Sequence, residues 1–188
     1  MDSARVAVAI MAAGKSTRFG ANKLEAMLGS KMLGLAIADT LAPLGFGARF
    51  AITSGRSKAL ALSLSQRGFE IIDNPDPDAG LSYSIKLAAA AAMDTSADAL
   101  MVCLADMPFV DANCVRTMLA SYSGEALIAT DGSISCPPAI LPRSLWASLA
   151  GLDGDTGARA LFANARQVLL PKNVLRDIDV REDLVLDH

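Results

Sequence analysis

Val8-Ala-Ile-Met-Ala-Ala-Gly-Lys-Ser-Thr-Arg-Phe-Gly-Ala-Asn-Lys-Leu24 decides how this chain is read. An apolar run of the kind that forms a buried strand ends abruptly in a loop of small residues. The loop then supplies Lys15, Arg18 and Lys23 within nine residues. Small residues let backbone N–H groups come close to an anion, and the cations neutralise it. The pattern points to phosphate binding just after a first strand, and so to a nucleotide.

Outward from this segment, strand and helix signals alternate. Apolar runs predict strands over 5–11, 49–53, 70–73 and 99–104. Leu33, Ile37, Leu41 and Leu44 fall at helical spacing and predict one helix over 31–44. Further helices are expected over 56–67 and 81–93, and another behind Asp111, which is placed to cap it. The last third is less regular. Strands are expected over 126–130, 139–141 and 167–170, short helices over 143–150 and 157–164, and a closing turn or helix over 181–186. Strand–helix alternation favours a mainly parallel sheet with helices on both faces. The expected architecture is one three-layer αβα domain over 1–188 with a Rossmann-like sheet.

Composition narrows the chemistry. Apolar residues make up 52% of the chain and aromatics only 5%, so the core is built from Ala, Leu, Ile and Val. A net charge of −3 argues against broad nucleic-acid binding. No apolar stretch is long enough for a membrane span, and a cytoplasmic protein is expected. Cys103, Cys114 and Cys136 form no C-x-x-C pair, and Cys103 reads as a core residue. The single histidine is His188, which removes Ser-His and Cys-His pairs and multi-His zinc sites. The chemistry must come from Asp, Glu, Lys, Arg, backbone amides or a metal held by oxygens.

Three polar or small-residue loops follow strands: 12–23, 74–84 and 105–111. In an open parallel sheet they should emerge on one edge, where ligands bind. Gly14-Lys15-Ser16-Thr17 invites comparison with a P-loop, but the first glycine of that pattern would fall at Ala9, inside the strand.

The pattern Ala12-Ala13-Gly14-x-Ser16-x-Arg18-x-Gly20-x-x-Lys23 fits better. It resembles the signature of MobA-like nucleotidyltransferases, and most closely their molybdenum-cofactor cytidylyltransferase branch. Five more segments follow in that family's order. Asn74-Pro75 with Gly80-Leu81-Ser82-Tyr83-Ser84 is similar to its base-binding loop. Leu104-Ala105-Asp106-Met107-Pro108 resembles its metal-binding segment, with Ala105 where a Gly is usual. Pro138 to Pro142 followed by Trp146, the run Gly154-Asp155-Thr156-Gly157-Ala158-Arg159, and the closing Asp177-Ile178-Asp179 with Glu182-Asp183-Leu184 complete the likeness.

The resemblance implies a magnesium-dependent nucleotidyltransferase. It would join CMP from CTP to the phosphate of molybdopterin, or of its molybdenum-loaded form, and release pyrophosphate. A guanylyltransferase using GTP is the alternative within the fold, and a nucleotide-hydrolysing P-loop protein the alternative outside it. Ala12, Ala13, Gly14, Lys15, Ser16 and Thr17 would wrap the phosphates. Arg18, with a planar fork, and Lys23, with a compact charge, would stabilise charge at the reacting phosphorus. Gly80, Ser82 and Ser84 would meet the base, and Asp155 and Arg159 the acceptor. Asp106 ends an apolar strand, where a carboxylate has little structural reason to be, and is the expected magnesium ligand. The second comes from Asp177 or Asp179. Alternation along a strand would put both on one face, and the family's pattern favours Asp179. Glu182 and Asp183 are expected to be first-turn helix acids. A molybdoenzyme or its chaperone that takes up the product is the implied protein partner.

Overall fold

The computed structural model describes residues 1–14, 19, 22–151 and 160–184. Strand β1 (Val6–Ala12) is buried along its whole length, as its unbroken apolar run requires. A two-residue hairpin follows, β2 (Met27–Leu28) and β3 (Lys31–Met32), then helix α1 (Ala36–Leu41). Next come β4 (Ala48–Thr53), α2 (Lys58–Ser65), β5 (Glu70–Asp73), α3 (Gly80–Met93), β6 (Ala99–Leu104) and α4 (Ala112–Ser121). The described chain adds β7 (Leu127–Thr130), β8 (Ser135–Pro142), a 3-10 segment Arg143–Gly151 and β9 (Arg166–Leu169).

Seven strands form one sheet in the order β5-β4-β1-β6-β8-β7-β9. Neighbours pair in parallel except at β8, which runs against both β6 and β7. The mainly parallel sheet expected from strand–helix alternation is therefore present, with one inverted strand. Alternation along β1 divides the core. Val8 and Ile10 face the layer holding Leu41, Leu60, Leu64, Val115 and Met118. Ala7, Ala9 and Met11 face Ile85, Ala88, Ala92 and Trp146. The small residues on this second face meet the Ala-rich side of α3.

Several expected elements differ in detail. Residues 31–44 are not one helix. The chain makes β3, a 3-10 turn at Leu33–Leu35, α1, and another 3-10 turn at Ala42–Leu44. Gly34 sits inside this stretch, where an added Cβ would come within 3.1 Å of Leu24 and Leu60. Close packing, not helix propensity, governs that turn. Strand β8 begins at Ser135, earlier than the expected 139, because the pairing with β7 skips Pro137 and Pro138. Ile128 pairs with Ala139 and Ala129 with Cys136, and the Pro137–Pro138 bond is cis. Prolines bring no N–H to a ladder, so they are accommodated in the bulge. Residues 143–150 are 3-10, not α-helical. Of the helix expected over 157–164, residues 157–159 lie outside the described residues and 160–162 are helical; the end of the segment over 181–186 also lies outside them, and its start is a 3-10 turn at Arg181–Leu184.

The site is set by topology. The chain runs from β1 outward to β4 and β5, then returns to the other side of β1 with β6. The strand order thus reverses at β1, and ligand crevices form beyond the carboxyl ends of strands at such a point. The loops after β1, β5 and β6 all leave from that edge. Main-chain bonds hold them there: Ala105 N donates to Met11 O (3.1 Å), and Asn74 N to Thr53 O (2.7 Å).

Candidate active site

Beyond the ends of β1 and β6 lies a cavity of about 430 Å³, lined by Ala13 and Gly14, by Asp78, Gly80, Leu81 and Ser84, and by Asp106. Three loops read separately along the chain meet in it. An added Cβ at Gly14 would meet no atom of the described residues within 4 Å, so packing among them does not call for glycine there. Gly80 is different. It opens α3 with φ +79° and ψ −175°, a conformation that side chains strongly disfavour.

Asn74 organises the base-loop side. Its Nδ2 donates to Ser84 Oγ (3.0 Å), and its Oδ1 accepts from Asp76 N (2.9 Å). Asp76 in turn accepts from Asp78 N (3.2 Å) and caps the turn that leads into α3. Ala79 occupies the N-cap of α3 with no side-chain bond. Ser84 reaches the cavity. Ser82 is buried and does not line it, and its hydroxyl has no hydrogen-bond partner among the described residues.

An acidic cluster stands at the other side of Asp106. One carboxylate oxygen each of Asp106, Asp177 and Asp179 lies within 4.8 Å of the others. Asp106 follows β6, while Asp177 and Asp179 come from a segment that is not a strand. The alternation expected there is kept without sheet pairing, because Ile178 anchors the segment. Ile178 is fully buried with Phe19, Leu28 and Leu33. Its N–H donates to Asp106 O (3.0 Å), and its carbonyl accepts from Lys23 Nζ (2.9 Å). Asp183 fixes the far side, accepting from Asp179 N and Val180 N (both 3.0 Å). It reaches back to the start of its turn like the acid of a capping box. These backbone bonds hold the Asp183 carboxyl below its ordinary range.

Lys23 ties the cluster to the first loop. Its Nζ lies 2.7 Å from Asp106 Oδ2 and 3.1 Å from Asp179 Oδ1, and its side chain is only 12% exposed. Burial alone would lower the ammonium pKa, but Asp106 and then Asp179 outweigh it, and the net shift is upward. The 3-10 turn Lys23–Glu25 that carries it is capped by Asn22 and tied to the loop after β4, where Ser57 Oγ donates to Glu25 Oε1 (2.6 Å). Asp177 presents an exposed outer edge, yet its carboxyl is pushed up, first by desolvation and then by Asp179 and Asp106. The Cys136 thiol is pushed up to about 11 by burial and by Asp177 nearby. Cys103, fully buried, is pushed up to about 12 and is a core residue, as its apolar run predicts.

The donor set suits a hard divalent cation. Magnesium takes carboxylate oxygens at about 2.1 Å, so ligands on its opposite sides stand roughly 4 Å apart. Three carboxylates converging within 4.8 Å fit that requirement after a small closure. Several expected site residues stay outside the described residues: Lys15, Ser16, Thr17 and Arg18 of the first loop, and Asp155 and Arg159 of the late loop. Ser57 carries no sequence signal, and Asn74 and Ile178 stand out as members of the family-like segments. Asn74-Pro75 was visible as a loop signal, whereas the Ile178 backbone contacts leave no local trace.

The sequence matches the MobA-like NTP transferase domain over residues 8–168. No curated protein sequence matches the chain. Solved structures do match its fold. Rv0371c from Mycobacterium tuberculosis H37Rv is 22% identical; one structure gives a TM-score of 0.83 and covers 97% of this chain and 96% of that one. A second, with manganese bound, gives 0.79 with 95% of each chain covered. The 4-diphosphocytidyl-2C-methyl-D-erythritol synthase of Anaerococcus prevotii DSM 20548 is 12% identical, with a TM-score of 0.77 and coverage of 96% and 94%. The molybdopterin-guanine dinucleotide biosynthesis protein A of Archaeoglobus fulgidus is 21% identical, with 0.63 and coverage of 95% and 94%. With its inverted-strand sheet and a family match over most of its length, the chain belongs to the MobA-like NTP transferase family and is a nucleotidyltransferase.

Proposed function

We propose that this protein, acting as one domain, transfers CMP from CTP to the phosphate of molybdopterin or its molybdenum-loaded form. The observation that carries the reading is a junction. The cavity edged by Ala13, Gly14, Gly80 and Ser84 meets the carboxylates of Asp106, Asp177 and Asp179 at Asp106. A nucleotide lying along the cavity would bring its phosphates to that junction. The cytidylyl assignment rests on Ala12-Ala13-Gly14 and the other sequence likenesses. The fold neighbours include both a cytidylyl-type and a guanine-type enzyme by name.

In this proposal an oxygen of the acceptor's phosphate attacks the α-phosphorus of CTP. The bond from that phosphorus to the β-phosphate oxygen breaks, and pyrophosphate leaves in line. The acceptor is already ionised, so no general base is required, in keeping with a chain whose one histidine is His188. Asp106 and Asp179, with Asp177 beside them, would hold magnesium, which supplies charge neutralisation at the phosphate oxygens. The Ala13–Gly14 backbone can approach the triphosphate closely. Arg18 and Lys23 are assigned to the reacting phosphates, and Asp155 and Arg159 to the acceptor. A molybdoenzyme or its chaperone would take up the product.

The test is pyrophosphate release with each of the four NTPs, with and without molybdopterin, in magnesium. The highest rate is expected with CTP and molybdopterin together. A GTP maximum would reassign the base, and release of inorganic phosphate without pyrophosphate would sink the transferase step.

A further inference from the structure

We infer that Lys23 and a divalent cation are alternative partners for the same carboxylates, so that loading the cation frees the Lys23 ammonium for the nucleotide phosphates. This rests on the metal reading proposed above. A lysine ammonium has three N–H donors. At Lys23 they meet three oxygens, Asp106 Oδ2 at 2.7 Å, Ile178 O at 2.9 Å and Asp179 Oδ1 at 3.1 Å. The donors are fully used, so Lys23 cannot serve a phosphate without releasing one of these oxygens. Two of the three belong to the carboxylates that suit a hard cation. A doubly charged ion on those oxygens would also repel the ammonium at close range.

The backbone around Lys23 suits a motion confined to the side chain. Its short turn is closed by the Asn22 cap and by the Ser57–Glu25 hydrogen bond of 2.6 Å. The flexible stem of lysine can then swing while the turn stays in place. Cation loading and phosphate capture become one coupled event, and coupling acts equally in both directions.

The experiment is manganese titration of the full chain, read as free manganese by electron paramagnetic resonance, for the wild type and Lys23→Met. The variant should bind manganese about tenfold more tightly. The gap should persist in about 0.5 M KCl, because salt screens contact-range interactions far less than distant ones. Before manganese is added the variant should melt below the wild type, and manganese should raise its Tm by more. A lysine with only a structural role would lose stability and metal affinity together. Equal or weaker binding by the variant, or a gap that vanishes in salt, would overturn the exchange. Asp106→Asn separates this failure from that of the metal reading. If it leaves manganese binding unchanged, the metal assignment falls and the exchange with it. If it abolishes binding while Lys23→Met binds no tighter, only the exchange falls.

Discussion

Asp106 is the residue on which the two halves of the site depend. It lines the cavity, pairs with Lys23 and belongs to the acidic cluster, while its backbone carbonyl receives Ile178 N–H. Asp106→Asn keeps size and the backbone bond but removes the charge. Turnover should fall about 10³-fold, as losing several kcal/mol of charge stabilisation implies, with Tm little changed. Steady-state pyrophosphate release with parallel thermal melts checks this; a variant within tenfold of wild type would remove the assignment. At this scale the sequence was informative where a residue contradicts its local setting. A carboxylate closing an apolar strand stood out as Asp106 does. Lys23 was visible as a cation, but two of its three partners lie 155 and 156 positions away, and nothing near Lys23 announces them. Its engagement with carboxylates could only come from the folded chain.

Elements were legible wherever one physical pattern dominated. Strands β1 and β6 are unbroken apolar runs, β4 and β5 carry Phe50–Thr53 and Ile71-Ile72, and Asp111 caps α4 by accepting from Cys114 N (2.8 Å), as its position predicted. Reading failed where two effects compete. In 31–44, leucines at helical spacing hide a hairpin and a tight turn governed by Gly34 packing. In β8, two prolines masked a strand that bulges to keep them. The turn between β7 and β8 offers a test of local chemistry. The Asp131 carboxylate accepts from Ser133 N (2.8 Å), Ile134 N (2.9 Å) and the Ser133 hydroxyl (2.7 Å). The backbone bond from Ile134 leads in lowering its pKa to about 2 from 3.8. A depressed carboxyl stabilises the fold above its unfolded value and loses that effect as pH falls through the folded one. Asp131→Ala should therefore melt below wild type at neutral pH. The difference should close as pH drops from about 4 toward 2, followed by thermal melts across that range.

Over the whole molecule, two of the three clustered carboxylates come from a stretch of sequence beyond the sheet. The family match covers residues 8–168 and the last described strand ends at Leu169, whereas Asp177 and Asp179 come later. Val174 and Leu175 pack into the main core, but Ile178 belongs to the small cluster with Phe19, Leu28 and Leu33. A chain ending at Leu175 should keep a cooperative fold with Tm lowered by roughly 5–15 °C, the cost of losing one buried aliphatic anchor. It should bind no manganese and release no pyrophosphate. Circular dichroism melts and manganese titration check both halves; retained manganese binding would show that Asp106 suffices alone.

The late docking of Ile178 has a consequence for biosynthesis. A ribosome delivers every described strand before it delivers Asp177, so a nascent polypeptide can hold the whole sheet in sequence while still lacking two of the three clustered carboxylates. Competence would arrive only after residues 177–179 clear the exit tunnel, and an unfinished chain could not spend nucleotide.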